Sequence, residues 1–453
     1  MPSMPARTPD LCVIGAGPGG YVAAIRAAQL GLKTLVVERG ALGGACLNWG
    51  CIPSKALIHA ADVFDGIRGA EKMGILADNP RLDVAKLQAW KAGVVRKLTM
   101  GIGALLKQNG VEVLTGEASF TSPQALAVKT ASGTEEVKAK AYLLATGARP
   151  VALPAFPYDG KTIFSAKEAL ELPAIPKHLV LLGGGVIGCE IASFYAKFGA
   201  QVTVLEMMDQ LMPGTDPECV AVVDKALRKR GVAIHTKAKA LSARPGKSGV
   251  SVEVEIEGSK RTLEADGLLV AVGFKPNTEA LALDKAGVKV DAKGFVVVEN
   301  TGRTSNPAVY AIGDLIGPPF LAHKASAEGL VAAAAIAGKK TTKDFRALPA
   351  AIFTDPEIAT VGMTEAQAKA GGREIRVGRF PFAALGRASS VGKIEGFVKL
   401  ISDAKTDLVL GCQIVGPEAS NLIAEAALAI EMGATAEDIA LTVHAHPTLP
   451  EPL

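Results

Sequence analysis

The chain has 453 residues, 49% hydrophobic, 21% charged and 5% aromatic, with a net charge of +4. A chain of this kind buries large cores, in about three domains of ~150 residues each, and is not disordered. The small net charge argues against a nucleic-acid partner, and the apolar stretches are too short, or too broken by Gly and Pro, to span a bilayer.

The opening stretch MPSMPARTPD carries no hydrophobic signal core, so a cytoplasmic location is expected. Residues 11–20, LCVIGAGPGG, run from an apolar segment into Gly15-x-Gly17-x-x-Gly20. A helical stretch follows, then the apolar run TLVVE ending at Glu38. The segment GGACLNWGCIPSKAL places Cys46 and Cys51 in a C-x4-C spacing, and a long helix is expected from Asp83 to Gln108. YLLATGARP closes this first part with a strand and Gly147.

The pattern then repeats with an offset of 168 residues. LVLLGGGVIG supplies Gly183, Gly185 and Gly188, and VTVLE ends at Glu206. LLVAVGFKP closes the second part at Gly273. From third motif glycine to closing glycine, the first copy carries about 42 more residues than the second, and both Cys46 and Cys51 lie in that excess. Beyond it come strand-like runs GFVVV and AVYAIGD and a helix from His323 to Ala337. From about Phe345 the texture changes to antiparallel strands in AAIFTDPEIATVGM, FVKLIS and LVLGCQIVG, with a helix over Asn421 to Met432.

Each glycine motif has a mechanical reading. The first glycine permits the turn, the second lets backbone approach a pyrophosphate, and the third lets helix pack on strand. The helix N-terminus attracts the phosphate charge, and the acid accepts from a ribose hydroxyl. Two copies in one register predict two dinucleotides, most simply a flavin and a nicotinamide. Glu206 repels a 2′-phosphate, and Met207 and Met208 follow it where a phosphate site needs Arg, so the second site is expected to take NAD.

Six cysteines in such a chain are not a secreted disulfide framework; a pair among them is expected to be catalytic. No further Cys or His stands close by at metal-ligand spacing, so no metal site is expected at Cys46 and Cys51. A helix N-terminus there would lower a thiol pKa. Near the end, HAHPTLPE offers His444, His446 and Glu451; a carboxylate beside a His is the usual way to orient a general base, and a capped turn is the plainer alternative.

Together with AIGD, LAHKASAEG, FTDPEIATVGMTE and GPEASNLIAEAALAIEMGA, these segments resemble the flavin- and NAD-dependent pyridine nucleotide–disulfide oxidoreductases from about Asp10 to Glu451. The narrower likeness is to members that oxidise protein-bound dihydrolipoamide to lipoamide with NAD+. The resemblance implies an α/β fold with two Rossmann-like dinucleotide-binding units and a C-terminal α+β dimerisation domain. The expected bounds are 1–150 for an FAD domain with a redox-disulfide insertion, 151–275 for an NAD domain, 276–345 for a central region completing the FAD site, and 346–453 for the interface domain.

It also implies residue roles. Gly15, Gly17, Gly20 and Glu38 would bind the ADP half of FAD, and Asp314 its ribityl chain. Gly183, Gly185, Gly188 and Glu206 would bind NAD, and Gly147 and Gly273 would close the two sites. Cys51 would face the flavin, Cys46 would exchange with substrate, and Lys55 and Glu190 would stand near the flavin. His446 would be the base, oriented by Glu451 and supplied by the other subunit of a homodimer, with His444 only a neighbour. Lipoyl domains and the E2 core of 2-oxoacid dehydrogenase complexes would be the partners, with neither nucleic acid nor membrane.

Three features depart from the family pattern. Phe274 stands where Arg is usual, LGRASS replaces a more polar stretch, and only two residues follow Glu451. No N-terminal lipoyl module is expected, since the first strand begins at about residue 11. Among rival readings, glutathione reductase would place basic residues at Met207 and Met208, and mercuric reductase would carry a C-terminal cysteine pair. A diaphorase or NADH oxidase, or a nucleotide-binding scaffold, would leave Cys46, Cys51 and His446 without a purpose.

Overall fold

Leu11–Ile14 forms a strand with all four residues buried, at the centre of a five-stranded parallel sheet. A computed structural model of the chain describes residues 6–247 and 249–453. The stretch MPSMP, part of the segment read above for the absence of a leader, lies outside them. The strand order is Val309–Ala311, Ala141–Leu144, Leu11–Ile14, Thr34–Glu38, Glu112–Thr115. The three central strands are buried along their length except at Glu38, which explains their unbroken apolar runs where an exposed sheet would alternate.

Helix Pro18–Gln29 follows the first strand, with Pro18 at the position where a missing N–H is no loss. It packs backbone to backbone on helix Ala322–Ile336: a Cβ on Gly329 would lie 2.7 Å from the Gly19 carbonyl oxygen. The strands Glu117–Ser122, Ala125–Thr130 and Gly133–Val137 add an antiparallel sheet. These elements belong to one compact unit made of Met1–Ala56, Ala85–Val151 and Gly273–Asp344. Within it, Ala148–Pro150 and Phe274–Pro276 pair antiparallel, so the chain departs and returns along one two-stranded ribbon.

The other unit comprises Leu57–Val84, Ala152–Val272 and Phe345–Leu453. Its first sheet repeats the arrangement, with Ala233–His235, Gln201–Leu205, His178–Leu182, Gly267–Val270 and Ile163–Phe164 in parallel order. The opening strand again lies between the acid-bearing strand and the closing strand. The fold is therefore α/β with two Rossmann-like units, and the repeat read at an offset of 168 residues is a repeat of structure. A three-stranded antiparallel sheet, Lys239–Pro245, Val250–Ile256 and Ser259–Ala265, lies between the last helix and closing strand of this copy in the chain.

The C-terminal part is α+β. Ala350–Ile352, Glu357–Gly362, Val409–Gly416, Phe397–Asp403 and Ile375–Pro381 form an antiparallel sheet, with helix Ala419–Met432 packed against it. The long helix in the first copy runs over Val84–Gln108. Among the described residues, no helix is long and apolar enough to cross a membrane.

One expected strand is absent. GFVVV, residues 294–298, forms only a bridge between Val290 and Val296. The Asp291 carboxylate accepts from the Lys293 and Phe295 amides, which turns the backbone immediately before the valines. Val296 and Val297 then donate to Leu315 and Lys289 carbonyls, partners scattered among loops, and Val297 stays exposed.

Candidate active site

The two glycine turns are built alike. A Cβ on Gly15 would overlap the Ala145 carbonyl, and one on Gly20 the Gly15 carbonyl. In the second copy Gly183 faces Ala271 O in the same way, and Gly188 faces Gly183 O. First and third glycines are thus required by the protein's own packing. The middle glycine is different. A Cβ on Gly185 would meet nothing within 4 Å, and one on Gly17 only Gly44 Cα at 3.9 Å. Space is left over a helix N-terminus whose N-cap is this same glycine and has no side-chain partner. Unpaired helix N–H groups facing open space suit a pyrophosphate, so the residues present fit a dinucleotide at both turns.

The acids show a feature that spacing did not reveal. Glu38 Oε2 accepts from the Ala16 amide at 2.7 Å and Oε1 from the Gly40 amide at 2.8 Å. Glu206 does the same with the Gly184 amide at 2.7 Å and the Met208 amide at 2.8 Å. Each carboxylate therefore braces its own glycine turn. Each oxygen keeps acceptor capacity for a ribose hydroxyl. Met207 and Met208 are exposed beside Glu206, and no cation follows it.

Both closing glycines have left-handed backbone, with φ of +65° at Gly147 and +123° at Gly273. Thr146 and Asn277 clasp the first of these turns reciprocally: Thr146 Oγ1 donates to Asn277 O and Asn277 Nδ2 to Thr146 O, each at 2.9 Å. Asp314 lies in a short 3₁₀ turn, Gly313–Ile316, held by the Glu328 carboxylate, which accepts from the Gly313 amide at 2.8 Å. Burial raises the Asp314 carboxyl above the usual carboxylate range, against the pull of Lys324 and with the help of Glu328. Phe274, the departure from the family pattern, packs edge-on against Phe320 at 6.0 Å, and Phe320 lies 6.2 Å from Phe295, so an aromatic cluster fills this place.

Cys46 lies in the short helix Gly44–Trp49, and Cys51 opens the helix Cys51–Gly69, with Gly50 between. The thiols are hydrogen-bonded to each other. That bond, followed by burial, pushes the Cys46 thiol up, while Lys55, one turn into the same helix, pulls it down. The remaining four cysteines, Cys12, Cys189, Cys219 and Cys412, are buried, and burial pushes their thiols up, to about 12 for Cys219. These four lie in the core, out of a substrate's reach, whereas Cys46 and Cys51 are partly exposed. In the other unit, Glu190 is buried in helix Val186–Lys197, and its Oε1 accepts from the Phe353 amide at 2.9 Å.

At the C-terminus, His446 Nδ1 meets Glu451 Oε1 at 2.7 Å. The Thr448 amide donates to Glu451 Oε2 at 2.7 Å, a partner that only the folded turn reveals. Together these bonds, the amide first, hold the Glu451 carboxyl below its ordinary value. The His446 side chain is 79% exposed, so Nε2 is open to a reacting group. His444 is not idle: Nε2 meets Glu425 Oε1 at 2.7 Å and Nδ1 meets Thr442 O at 3.0 Å. Glu425 stands 19 residues upstream, beyond the reach of local motif reading.

Residues 9–329 match the pyridine nucleotide-disulphide oxidoreductase model, and residues 348–453 match that family's dimerisation domain. The chain belongs to this family. It is 49% identical to the dihydrolipoyl dehydrogenase of Thermus scotoductus, over 99% of this chain and 96% of the relative. It is 48% identical to that of Geobacillus stearothermophilus, over 98% and 94%. Among solved structures, LpdA of Mycobacterium tuberculosis superimposes with a TM-score of 0.91 at 30% identity, over 99% of this chain and 98% of that one. The cofactors of the family are FAD and NAD, which accords with two braced glycine turns.

Proposed function

We propose that this chain is a flavoprotein that oxidises protein-bound dihydrolipoyl groups and reduces NAD+, a dihydrolipoyl dehydrogenase. The observation that carries the reading is the hydrogen-bonded Cys46–Cys51 pair at two abutting helix ends, in the unit whose glycine turn fits a dinucleotide.

Gly15, Gly17, Gly20 and Glu38 would hold the ADP half of FAD and Asp314 its ribityl chain, with Gly147 closing the site and Lys55 near the flavin. Gly183, Gly185, Gly188, Glu206 and Gly273 hold NAD, and Glu206 disfavours a 2′-phosphate. A bound FAD would supply the redox chemistry that links the reduced cysteines to hydride transfer onto NAD+.

The protein's own steps are acid–base and thiol exchange. His446, fixed through Nδ1 by Glu451, takes a proton from one substrate thiol at Nε2. That thiolate attacks the sulfur of Cys46 in the Cys46–Cys51 disulfide, forming a mixed disulfide and releasing Cys51 as thiolate. The second substrate thiol attacks the substrate sulfur of the mixed disulfide and passes its proton to the departing Cys46 sulfur. The lipoyl ring closes and Cys46 leaves as thiol, with the first proton on His446 and Cys51 as thiolate. Substrate loses two electrons and two protons, and the cysteine pair gains the electrons.

In the working enzyme His446 and Glu451 serve the cysteine pair of a second copy, in a homodimer. Leu428, Met432, Leu441 and Val443 support this: all four are exposed apolar side chains within the match to the dimerisation domain. The partners are lipoyl domains and the E2 core of 2-oxoacid dehydrogenase complexes, in the cytoplasm. The test is steady-state NAD reduction by dihydrolipoamide, beside NADPH oxidation with glutathione or mercuric ion. Dihydrolipoamide and NAD are expected to give the highest kcat/KM, and a higher value for either alternative would overturn the reading.

A further inference from the structure

His446 is held at Nδ1 by Glu451, five residues away, and both residues belong to the same terminal segment. Such a bond orients the imidazole within the segment but does not orient the segment. Leu449 and Leu453 pack their side chains on the C-terminal core, but a base that is about 1 Å out of place loses much of its effect, so the polar ties of residues 444–451 to the fold also decide its position.

Among the described residues, His444 is the polar side chain of this stretch that bonds to a regular helix. Its Nε2 meets Glu425 Oε1 at 2.7 Å, and Glu425 sits in the middle of helix Ala419–Met432. Its Nδ1 meets the Thr442 carbonyl at 3.0 Å, a fixed acceptor that sets the direction of the ring. Each ring nitrogen faces an acceptor, and the side chain is 17% exposed where that of His446 is 79%. Two residues apart stand two His–carboxylate pairs with opposite properties. One has a protein acceptor at each nitrogen and is mostly covered; the other has one nitrogen tied and one open.

Helix Ala419–Met432 is a firm support. Ala419, Leu422, Ile423, Ala426 and Ala429 are buried against the C-terminal sheet. Glu425 is on the next face, so its carboxylate is carried by a packed element. A pull on His444 is therefore transmitted to the core of the domain, not to another loop.

We infer that His444 is a positioning residue: its bond to Glu425 fixes the terminal segment so that His446 Nε2 meets the substrate thiol. This rests on the reading of His446 as the base. His444 itself touches neither substrate nor cofactor and moves no proton in the reaction.

The experiment compares His444→Asn, Glu425→Gln and His446→Gln in the full-length holoenzyme. The two reductive half-reactions are followed separately by stopped-flow absorbance. One is reduction by dihydrolipoamide, which needs the base. The other is reduction by NADH with ferricyanide as the terminal acceptor, which does not. His444→Asn and Glu425→Gln should each slow dihydrolipoamide reduction about tenfold. The double variant should be no slower than either single variant, since both remove one bond. NADH:ferricyanide turnover, flavin content and the KM for NAD should stay within twofold of wild type. Glu425→Gln reaches the bond from the helix side, so the inference stays testable if His444→Asn folds poorly.

A general structural defect would lower both half-reactions together and would overturn the inference. Dihydrolipoamide reduction at the wild-type rate in both single variants would also overturn it, while leaving the base assignment intact. Full dithiol turnover in His446→Gln would instead remove the reading on which the inference stands.

Discussion

Glu206→Ala tests how much of the second nucleotide site is held by its acid rather than by its glycines. The carboxylate is buried and accepts from the Gly184 amide at 2.7 Å and the Met208 amide at 2.8 Å. Alanine leaves both donors without partners. Met208 is exposed and its amide can turn to water, so the cost falls mainly on Gly184. A bond from a backbone amide to a buried charged acceptor contributes about 1.5–3 kcal/mol. The turn should therefore open about ten- to hundredfold more often in the variant. Hydrogen–deuterium exchange of a peptide covering residues 183–188 reads this directly, in the protein without added NAD. Exchange should rise by that factor there, and stay unchanged at residues 15–20, where Glu38 braces the corresponding turn. Unchanged exchange over 183–188 would refute the bracing role, leaving Glu206 as a ribose ligand alone. The kcat/KM for NADH should fall in either case, so catalysis by itself does not decide the matter. The brace also bears on cofactor exchange: removing the acid to admit NADP loosens the turn that must hold the pyrophosphate.

The remaining predictions are simpler. Gly185→Ala should leave thermal stability unchanged, since its Cβ meets no protein atom within 4 Å, but should weaken NAD binding measured by titration calorimetry. Gly188→Ala should destabilise the protein even without NAD, because its Cβ overlaps the Gly183 carbonyl; equal melting temperatures for the two variants would contradict this division of roles. Cys51→Ser should keep the flavin yet lose the long-wavelength thiolate–flavin absorbance on reduction, and retention of full dihydrolipoamide turnover would contradict the exchange mechanism. For pH, the Thr448 amide and then His446 hold the Glu451 carboxyl below its ordinary 4.5. A depressed carboxyl contributes above its unfolded value and is lost as pH falls through its folded one. The ordered His446–Glu451 turn should persist through pH 4.5 and give way only below it, as followed by NMR of the His446 ring; loss of the turn above pH 4.5 would contradict the bond network.

Much of the fold was legible because it is carried by local pattern. Leu11–Ile14 and His178–Leu182 read as strands from continuous apolarity, and Gly15 to Glu38 reappears as Gly183 to Glu206 with both motif and fold intact. The pair at Cys46 and Cys51 was legible because four residues of separation leave few geometries. GFVVV misled because its β-branched residues satisfy a propensity that depends on a neighbouring strand, and the Asp291 turn places none there. His444 was passed over for a related reason: its partner, Glu425, is brought in by the packing of a helix that no spacing rule connects to it. The bracing of the glycine turns by Glu38 and Glu206 went unread because the motif assigns those acids to the ligand, and only coordinates show backbone amides already there.

The ribbon of Ala148–Pro150 and Phe274–Pro276 has a consequence for how such a chain can vary. Because the outgoing and incoming strands are paired neighbours, the segment between Val151 and Gly273 leaves and re-enters the sheet side by side, while ion pairs such as Lys197–Asp355, Arg230–Asp65 and Lys399–Asp216 hold it within the second unit. A segment tethered in this way can be lengthened, shortened or exchanged for a module of different nucleotide preference without redrawing the host's strand order. The antiparallel insert Lys239–Ala265 shows one such elaboration already absorbed within that segment. Any replacement must bring its two ends a strand's width apart and also meet the charges that Asp65, Asp355 and Lys399 present to it.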